Sequence, residues 1–540
     1  MLTDGLGHRS IEHVFGTPDP FRAADMDAAP DDVTARPSRR RFFAMGAGAV
    51  GATALGAVAT GAVLEAQPPR GGGRTSPLPA GRTPGSDVAM TWQDPLLRLV
   101  RRVTMGLTPA DVALARQKGF SGYLDYQLRP EAIDDSALET TLATRLPMLA
   151  MTAATLRTQD GTELAEQLTD ATWYRAAFSK AQLRERMVEF WTDHFNISIN
   201  KVGYLKLVDD REVIRPNALG NYATLLRASA RSGAMLFYLD QTSSRTPTPN
   251  QNYAREIMEL HTLGVDNGYT QTDVAELSRI LTGWSMDGNG AFRYIRSYHD
   301  RNAKTFLGQS FPAMAATATD AQLMAEGDTA INLLINHPST AKYVSWKMAR
   351  FLLAYEPPAS VVTATAAAFT RTGGDIKTMI RTILTSANLA AAPAKFKRPF
   401  HLAISGLRAL GTDTTQVSNI RSIKQRADQM GMPLFEWEQP NGYPEEVAWW
   451  SGLVVTRWSY TQALSVMNSA TTARFDLAPF RVPDTADGVV NQIKARLFAG
   501  EMPSALRSAL STYLRGGTYN ETRIRETLSL ALAANEFQWF

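Results

Sequence analysis

Cysteine is absent from all 540 residues. That absence removes disulfides, thiolate nucleophiles, zinc-thiolate and iron–sulfur sites, and a lipid-modified N-terminal cysteine. With 44% hydrophobic residues, a chain of this length has enough core to fold without such staples, so the lack of cysteine is compatible with an oxidising compartment. Concentrated positive charge is missing too. The 56 Lys and Arg exceed the 52 Asp and Glu by only four, and Arg184 and Arg186 are interrupted by Glu185. Nucleic-acid binding needs many phosphates neutralised along one stripe, so no nucleic-acid partner is expected. The sequence has no Gly-rich phosphate loop, no Gly-x-Ser-x-Gly elbow and no Cys/His grid, and Asp287 with Asn289 lacks the rest of a calcium loop. No internal period marks a solenoid, and 20% charged residues is too few for a charge-rich disordered chain.

What the chain does have begins at its N-terminus. Residues 1–37 are polar and acidic, with Asp25, Asp27, Asp31 and Asp32 close together, and offer no apolar face to bury; they read as a disordered leader. Residues 38–66 open with Ser38-Arg39-Arg40-Arg41-Phe42-Phe43, followed by the uncharged stretch Ala44 to Leu64, mostly Ala, Gly and Val. This segment resembles a twin-arginine signal peptide, carried by Arg39, Arg40, Phe42 and Phe43, with Ala44 where lysine is common. The physics agrees: paired arginines stay on the cytoplasmic side, and an apolar stretch of this length reaches across a bilayer core of about 30 Å as a helix. Leu64-Glu65-Ala66 is a weak cleavage site, since Leu64 is not small. The expectation is export of the folded protein to the periplasm or beyond, with membrane contact only through this segment and an N-terminal anchor if it stays uncleaved. Residues 67–93, with Gly71-Gly72-Gly73 and several prolines, read as a linker.

From residue 94 to 540 the pattern is helical. Thr108-Pro109-Ala110-Asp111 combines an N-cap, a proline at the first helical position and an acid three residues on, which predicts a helix stopped by Gly119. Ser179-Lys180-Ala181-Gln182 and Thr270-Gln271-Thr272-Asp273 read as further capping boxes. Asn250 caps a helix through Leu263, and more helices follow to about residue 535. Asp287-Gly288-Asn289-Gly290 before the aromatic, partly alternating Phe292 to Tyr298 predicts a hairpin. The expected fold is mainly α: a large multi-helix globular body with a small β-hairpin insertion.

Within that body, Asn252 to Gly264, then Gly268-Tyr269-Thr270-Gln271-Thr272-Asp273, then Leu281-Thr282-Gly283-Trp284 resemble the hallmark of the bacterial family of unknown function DUF1800. Leu99 to Pro109, Glu189 to Phe195, His299-Asp300, His337 to Ala341, Gly373 to Ile376 and Lys397 to Phe400 fit the same family in order. The resemblance implies an exported, mostly helical protein and a partner from a co-encoded family of uncharacterised exported proteins, without naming an activity. One motif departs from the pattern: after Gly431 to Phe435, Tyr443 stands where tryptophan is usual, so a groove built there would differ in shape.

For chemistry, His299-Asp300 is the strongest pair, because an imidazole beside a carboxylate on a loop supplies two metal ligands or a base with its orienting acid. Glu256 and Glu259, three apart on one helix, are the nearest carboxylates to complete such a site, although Arg255 is placed to pair with Glu259. Without cysteine the set His299, Asp300, Glu256 and Glu259 would take a divalent zinc, manganese or iron ion and activate water. Against that enzyme stands a non-enzymatic scaffold or partner-binding protein of the cell envelope, with another exported protein or an envelope glycan as partner. Trp437, Tyr443, Trp449, Trp450 and Trp458 either line its groove or pack the core. His194, His261 and His401 read as packing residues, His261 being favoured by the helix dipole if charged, and His337 as a turn before a helix capped near Ser339.

Overall fold

Capping and apolar periodicity dominate the architecture as they dominate the sequence. The computed structural model describes residues 92–413, 419–469 and 473–540, all within one compact unit, Arg82–Phe540; the leader, the signal segment and the linker up to residue 91 lie outside the described residues. Helices make up most of that unit, joined by short loops and two small antiparallel hairpins. None of the described helices is long and apolar enough to cross a membrane.

Thr108 caps the helix Pro109–Gln127 by accepting from Asp111 N, and Thr270 makes a full capping box with Asp273 for Gln271–Ile280. Gly119 does not stop the first of these helices. It takes φ 70° and ψ 176° and kinks it, because glycine alone tolerates that break while the flanking residues resume helical geometry. The Ser179 box does not form either. Ser179 Oγ donates to Asp135, the helix starts at Gln182, and the Gln182 side chain bonds Met105 N, Ala176 O and Ser179 O. The helix from Asn252 turns π-helical over Ile257–Thr262, and a second π-helical turn spans Asp210–Ile214. The tryptophan-rich segment after Tyr443 forms two helices, Val447–Ser451 and Val454–Ser465.

The predicted hairpin is β1 (Trp284–Met286) with β2 (Phe292–Tyr294), Trp284 opposite Tyr294 and Met286 opposite Phe292. Asp287 Oδ1 closes its turn by accepting from Asn289 N and Ala291 N. A short 3₁₀ turn, Arg296–Tyr298, replaces the end of the expected strand, and a second hairpin follows, β3 (Lys304–Phe306) with β4 (Gln309–Phe311).

Two large apolar clusters organise the packing. One joins Leu97 to Ala392 segments around Trp191, Tyr222 and Met348; the other packs Trp173, Phe400 and the C-terminal helices. The helix Pro399–Ala409 is buried on every side, as expected of a helix apolar around its whole circumference. Its Arg408 is held by Asp111 at 2.6 Å and by the Gly106 and Ala177 carbonyls. A third, small cluster contains Leu164, Ile199, Leu207 and Phe435.

Candidate functional site

The helix Gln182–His194 presents Glu185, Val188, Glu189 and Thr192 at three- and four-residue spacing, with Asn196 one turn beyond, and these five share one stripe. The stripe forms one wall of a narrow cleft of about 30 Å³. Thr172 and Ala176, four apart on the helix Gly161–Phe178, and Phe400, at the start of the central helix, form another. The loop carrying Met432, Leu434, Phe435 and Tyr443 closes the cleft. Three apolar clusters contribute to it, through Val188, Phe400 and Phe435 respectively.

That loop is fixed by backbone contacts. Phe435 O accepts from Ile199 N at 2.8 Å, and Asn196 Nδ2 donates to the Trp437 and Gln439 carbonyls. Phe435 sits at φ 67°, a left-handed conformation that costs a bulky residue of order 1–3 kcal/mol and persists only where surrounding contacts impose it. Gly442, at φ 73°, passes so close to the 182–194 helix that a Cβ there would stand 2.3 Å from the Asp193 carbonyl oxygen. Tyr443, where the family pattern has tryptophan, lies against the cleft with its hydroxyl donating to Pro433 O.

Behind the cleft wall lies a buried ion network. Arg398 Nη2 binds Glu189 Oε1 and its Nη1 binds Asp193 Oδ2 at 2.6 Å; Arg186 takes the other Glu189 oxygen, and Lys395 binds Glu445 at 2.8 Å. Arg186, Lys395 and Arg398 thus balance Glu189, Asp193 and Glu445. Burial raises the Asp193 carboxyl from its ordinary value against the pull of Arg398. For Glu445 burial acts the same way, but Lys395 and Arg398 outweigh it and hold the carboxyl low. Glu185 is held low by Arg215 and Arg184, again against burial. Asp193 keeps 18% of its side chain accessible at the cleft. The cleft lining is mainly apolar and carries the carboxyls of Glu185, Glu189 and Asp193, the Asn196 amide and the hydroxyls of Thr172, Thr192 and Tyr443.

His299 and Asp300, expected as a joint pair, have separate partners. Adjacent His299 and Asp300 point apart: His299 Nδ1 lies 2.9 Å from Thr282 O and its Nε2 3.2 Å from Glu326 Oε2, an oxygen that also binds Lys304 at 2.7 Å. Asp300 instead receives Arg279 Nε at 2.7 Å and both Asn302 N and Nδ2. Burial would raise its carboxyl, yet these bonds hold it low. Glu259 pairs with Arg255 at 3.3 Å, and Glu256 is buried in the same helix. The four are not brought into one ligand set, and among the described residues no group of three or more His, Asp and Glu side chains is arranged to hold a metal ion. The imidazole's acidic neighbour is Glu326, on the helix Asp320–Asn336, a pairing that sequence adjacency did not suggest.

The other described histidines pack in the core or cap a helix. His194 is enclosed by Phe190, Trp191, Phe195 and Tyr222, and burial holds it neutral. His261 is not a charged helix-end residue: burial first, and Lys347 second, push it down to about 3. His401 is buried against the Phe540 ring at 4.2 Å. His337 is itself the cap of the helix Pro338–Leu352, its Nδ1 accepting from Ser339 N.

The aromatic segment divides. Trp450 and Tyr443 are buried, whereas Trp449 is 49% and Trp458 53% exposed. Trp437 touches Tyr443 at 5.0 Å and Trp449 at 6.0 Å between ring centroids, so an aromatic path runs from cleft wall to surface.

The family segments Glu189 to Phe195, Lys397 to Phe400 and Gly431 to Phe435 all border this cleft. Comparison with curated proteins and with solved structures returns no match. The family model for proteins of unknown function DUF1800 matches residues 98–539, which is most of the chain and all three cleft-forming segments, and the protein belongs to that family.

Proposed function

We propose that this protein is exported folded, by the Arg39-Arg40 signal, and acts in the cell envelope as a non-enzymatic partner-binding protein. The observation that carries the reading is the exposed apolar face on the two helices Val447–Ser451 and Val454–Ser465. Trp449, Val454, Val455, Trp458 and Val466 are five of the nine large hydrophobics exposed among the described residues. Single exposed apolar residues need no explanation, but a concentration of this kind marks a contact surface, and tryptophan is the residue most enriched at interface hot spots. Trp437, in ring contact with both Trp449 and Tyr443, places the cleft wall beside this face. The partner expected is another exported protein.

The test is retention of envelope proteins by the immobilised mature chain, compared with a Trp449→Glu/Trp458→Glu double variant. One retained species lost in the variant is the expected result. A chain that retains nothing, or a variant that retains the same species equally, overturns the reading.

A further inference from the structure

Lys397 stands just before the central helix Pro399–Ala409, and its backbone is tied down on both sides. Its N–H donates to Gln538 O at 2.8 Å, and its carbonyl accepts from Arg457 Nη2 at 2.8 Å. A lysine held in a protein core is ordinarily paired with a carboxylate, as Lys395 is with Glu445 and Lys304 with Glu326. Lys397 is only 5% exposed, yet its amine makes no hydrogen bond and no ion pair among the described residues.

Lys397 lines a narrow cavity of about 20 Å³, together with Trp92, Arg101, Leu107, Glu536 and Phe537. That exceeds the roughly 10–15 Å³ that one water needs and is far below the roughly 300–1,000 Å³ of an ordinary ligand site. The amine is not sealed from this space, whereas Arg457 Nη1 is sealed and unpartnered. A molecule of a few atoms can therefore reach Lys397, and a large one cannot.

Burial first, and the charges of Arg101 and Arg457 second, push the amine well below the usual lysine value. The Phe537 ring, 3.7 Å away, favours the ammonium. Such a contact is worth about 2 kcal/mol, against an effective cost of several kcal/mol for an unpaired buried ion. The uncharged amine, its lone pair free, prevails and is a nucleophile. Arg101 is neutralised by Glu501 at 2.8 Å, but Arg457 binds only Gln538 Oε1 and the Lys397 carbonyl and has no carboxylate. Glu536 lines the cavity without forming an ion pair. The electrophile that suits this place is small, needs no leaving group and becomes an anion on addition.

We propose that Lys397 is an acceptor for carbon dioxide and forms a carbamate inside this cavity. The Nζ lone pair attacks the carbon, and the N–C bond forms as one C=O π pair moves onto oxygen. The nitrogen then releases one proton to water or bicarbonate, so nothing is oxidised or reduced. The carbamate anion supplies the negative charge that Arg457 lacks.

The experiment uses the purified mature protein with isotope-labelled bicarbonate at pH about 7.5, where exposed lysines of pKa about 10.4 are almost wholly protonated. Carbamate is followed by carbon NMR, trapped by O-alkylation and located by peptide mass mapping. One saturable signal trapped on Lys397 is the expected result, lost in Lys397→Arg and retained in Lys342→Arg, at an exposed position. Mapping of the wild-type chain decides the location even if Lys397→Arg does not fold. No trapped carbamate, or carbamate on other lysines only, overturns the proposal. A second arm offers benzaldehyde with cyanoborohydride, which should leave Lys397 unmodified; its alkylation there would overturn the selection of carbon dioxide by size. Both arms are read on the isolated protein, so their outcome is independent of any partner at the aromatic face.

Discussion

Two buried charge clusters in this protein look alike in composition and differ in what surrounds them. Around Arg398, three carboxylates and three cations are packed behind the wall of a cleft, and Glu189 and Asp193 also line it. Around Glu326, His299 and Lys304 converge on one carboxylate oxygen, all with side chains no more than 2% exposed. The first cluster sits at the meeting of apolar clusters from distant parts of the chain, and its ion pairs span up to 209 residues. The second pins a pair of hairpins to one helix. The comparison teaches that buried charge alone does not mark a site. An imidazole with a carboxylate can be a structural rivet, while an ion network becomes interesting where a cavity opens beside it.

The largest expected effect separates the two. Arg398→Ala leaves Glu189, Asp193 and Glu445 short of a cation in a buried setting and should cost about 3–5 kcal/mol in urea unfolding. Lys304→Met should cost less, about 1–3 kcal/mol, because His299 remains beside Glu326. A double-mutant cycle with Glu326→Gln would show the coupling. Equal losses for the two variants would erase the distinction.

A third effect depends on pH. His261 is pushed from an ordinary 6.5 to about 3 in the folded state, so the unfolded chain takes up a proton that the folded one refuses. Its contribution is fully present above pH 6.5 and is lost as pH falls toward 3. His261→Gln should flatten the fall of unfolding free energy across that window by up to about 1.4 kcal/mol per pH unit. An unchanged slope would mean that the imidazole is not buried as described.

What the sequence made legible follows the range of the interactions. The Thr108 and Thr270 caps and the turn at Asp287 depend on residues a few positions apart, and they form as read. Gly119 was legible as a break but not as a kink, since whether a helix resumes depends on what its second half packs against. The π-helical turns at Asp210–Ile214 and Ile257–Thr262 leave no periodicity that a 3.6-residue reading detects, and they change which side chains share a face. Arg398 with Glu189, or His299 with Glu326, are meetings made by tertiary packing. Glu185, Val188, Glu189 and Thr192 share one helix face, but nothing local in the sequence says that a cleft lies against it.

The smallest effect on stability belongs to the exposed tryptophans, and it carries the central claim. Trp449→Glu and Trp458→Glu should each change unfolding free energy by no more than about 0.5 kcal/mol, since both rings are half accessible. Their importance should appear only where a partner is present. The most direct measurement is oxidative footprinting of tryptophans in intact cell envelopes and in the purified protein. The account predicts that Trp449 and Trp458 are protected in the envelope and reactive when purified, with buried Trp173, Trp191 and Trp450 protected in both. Equal reactivity of Trp449 and Trp458 in the two settings would contradict it.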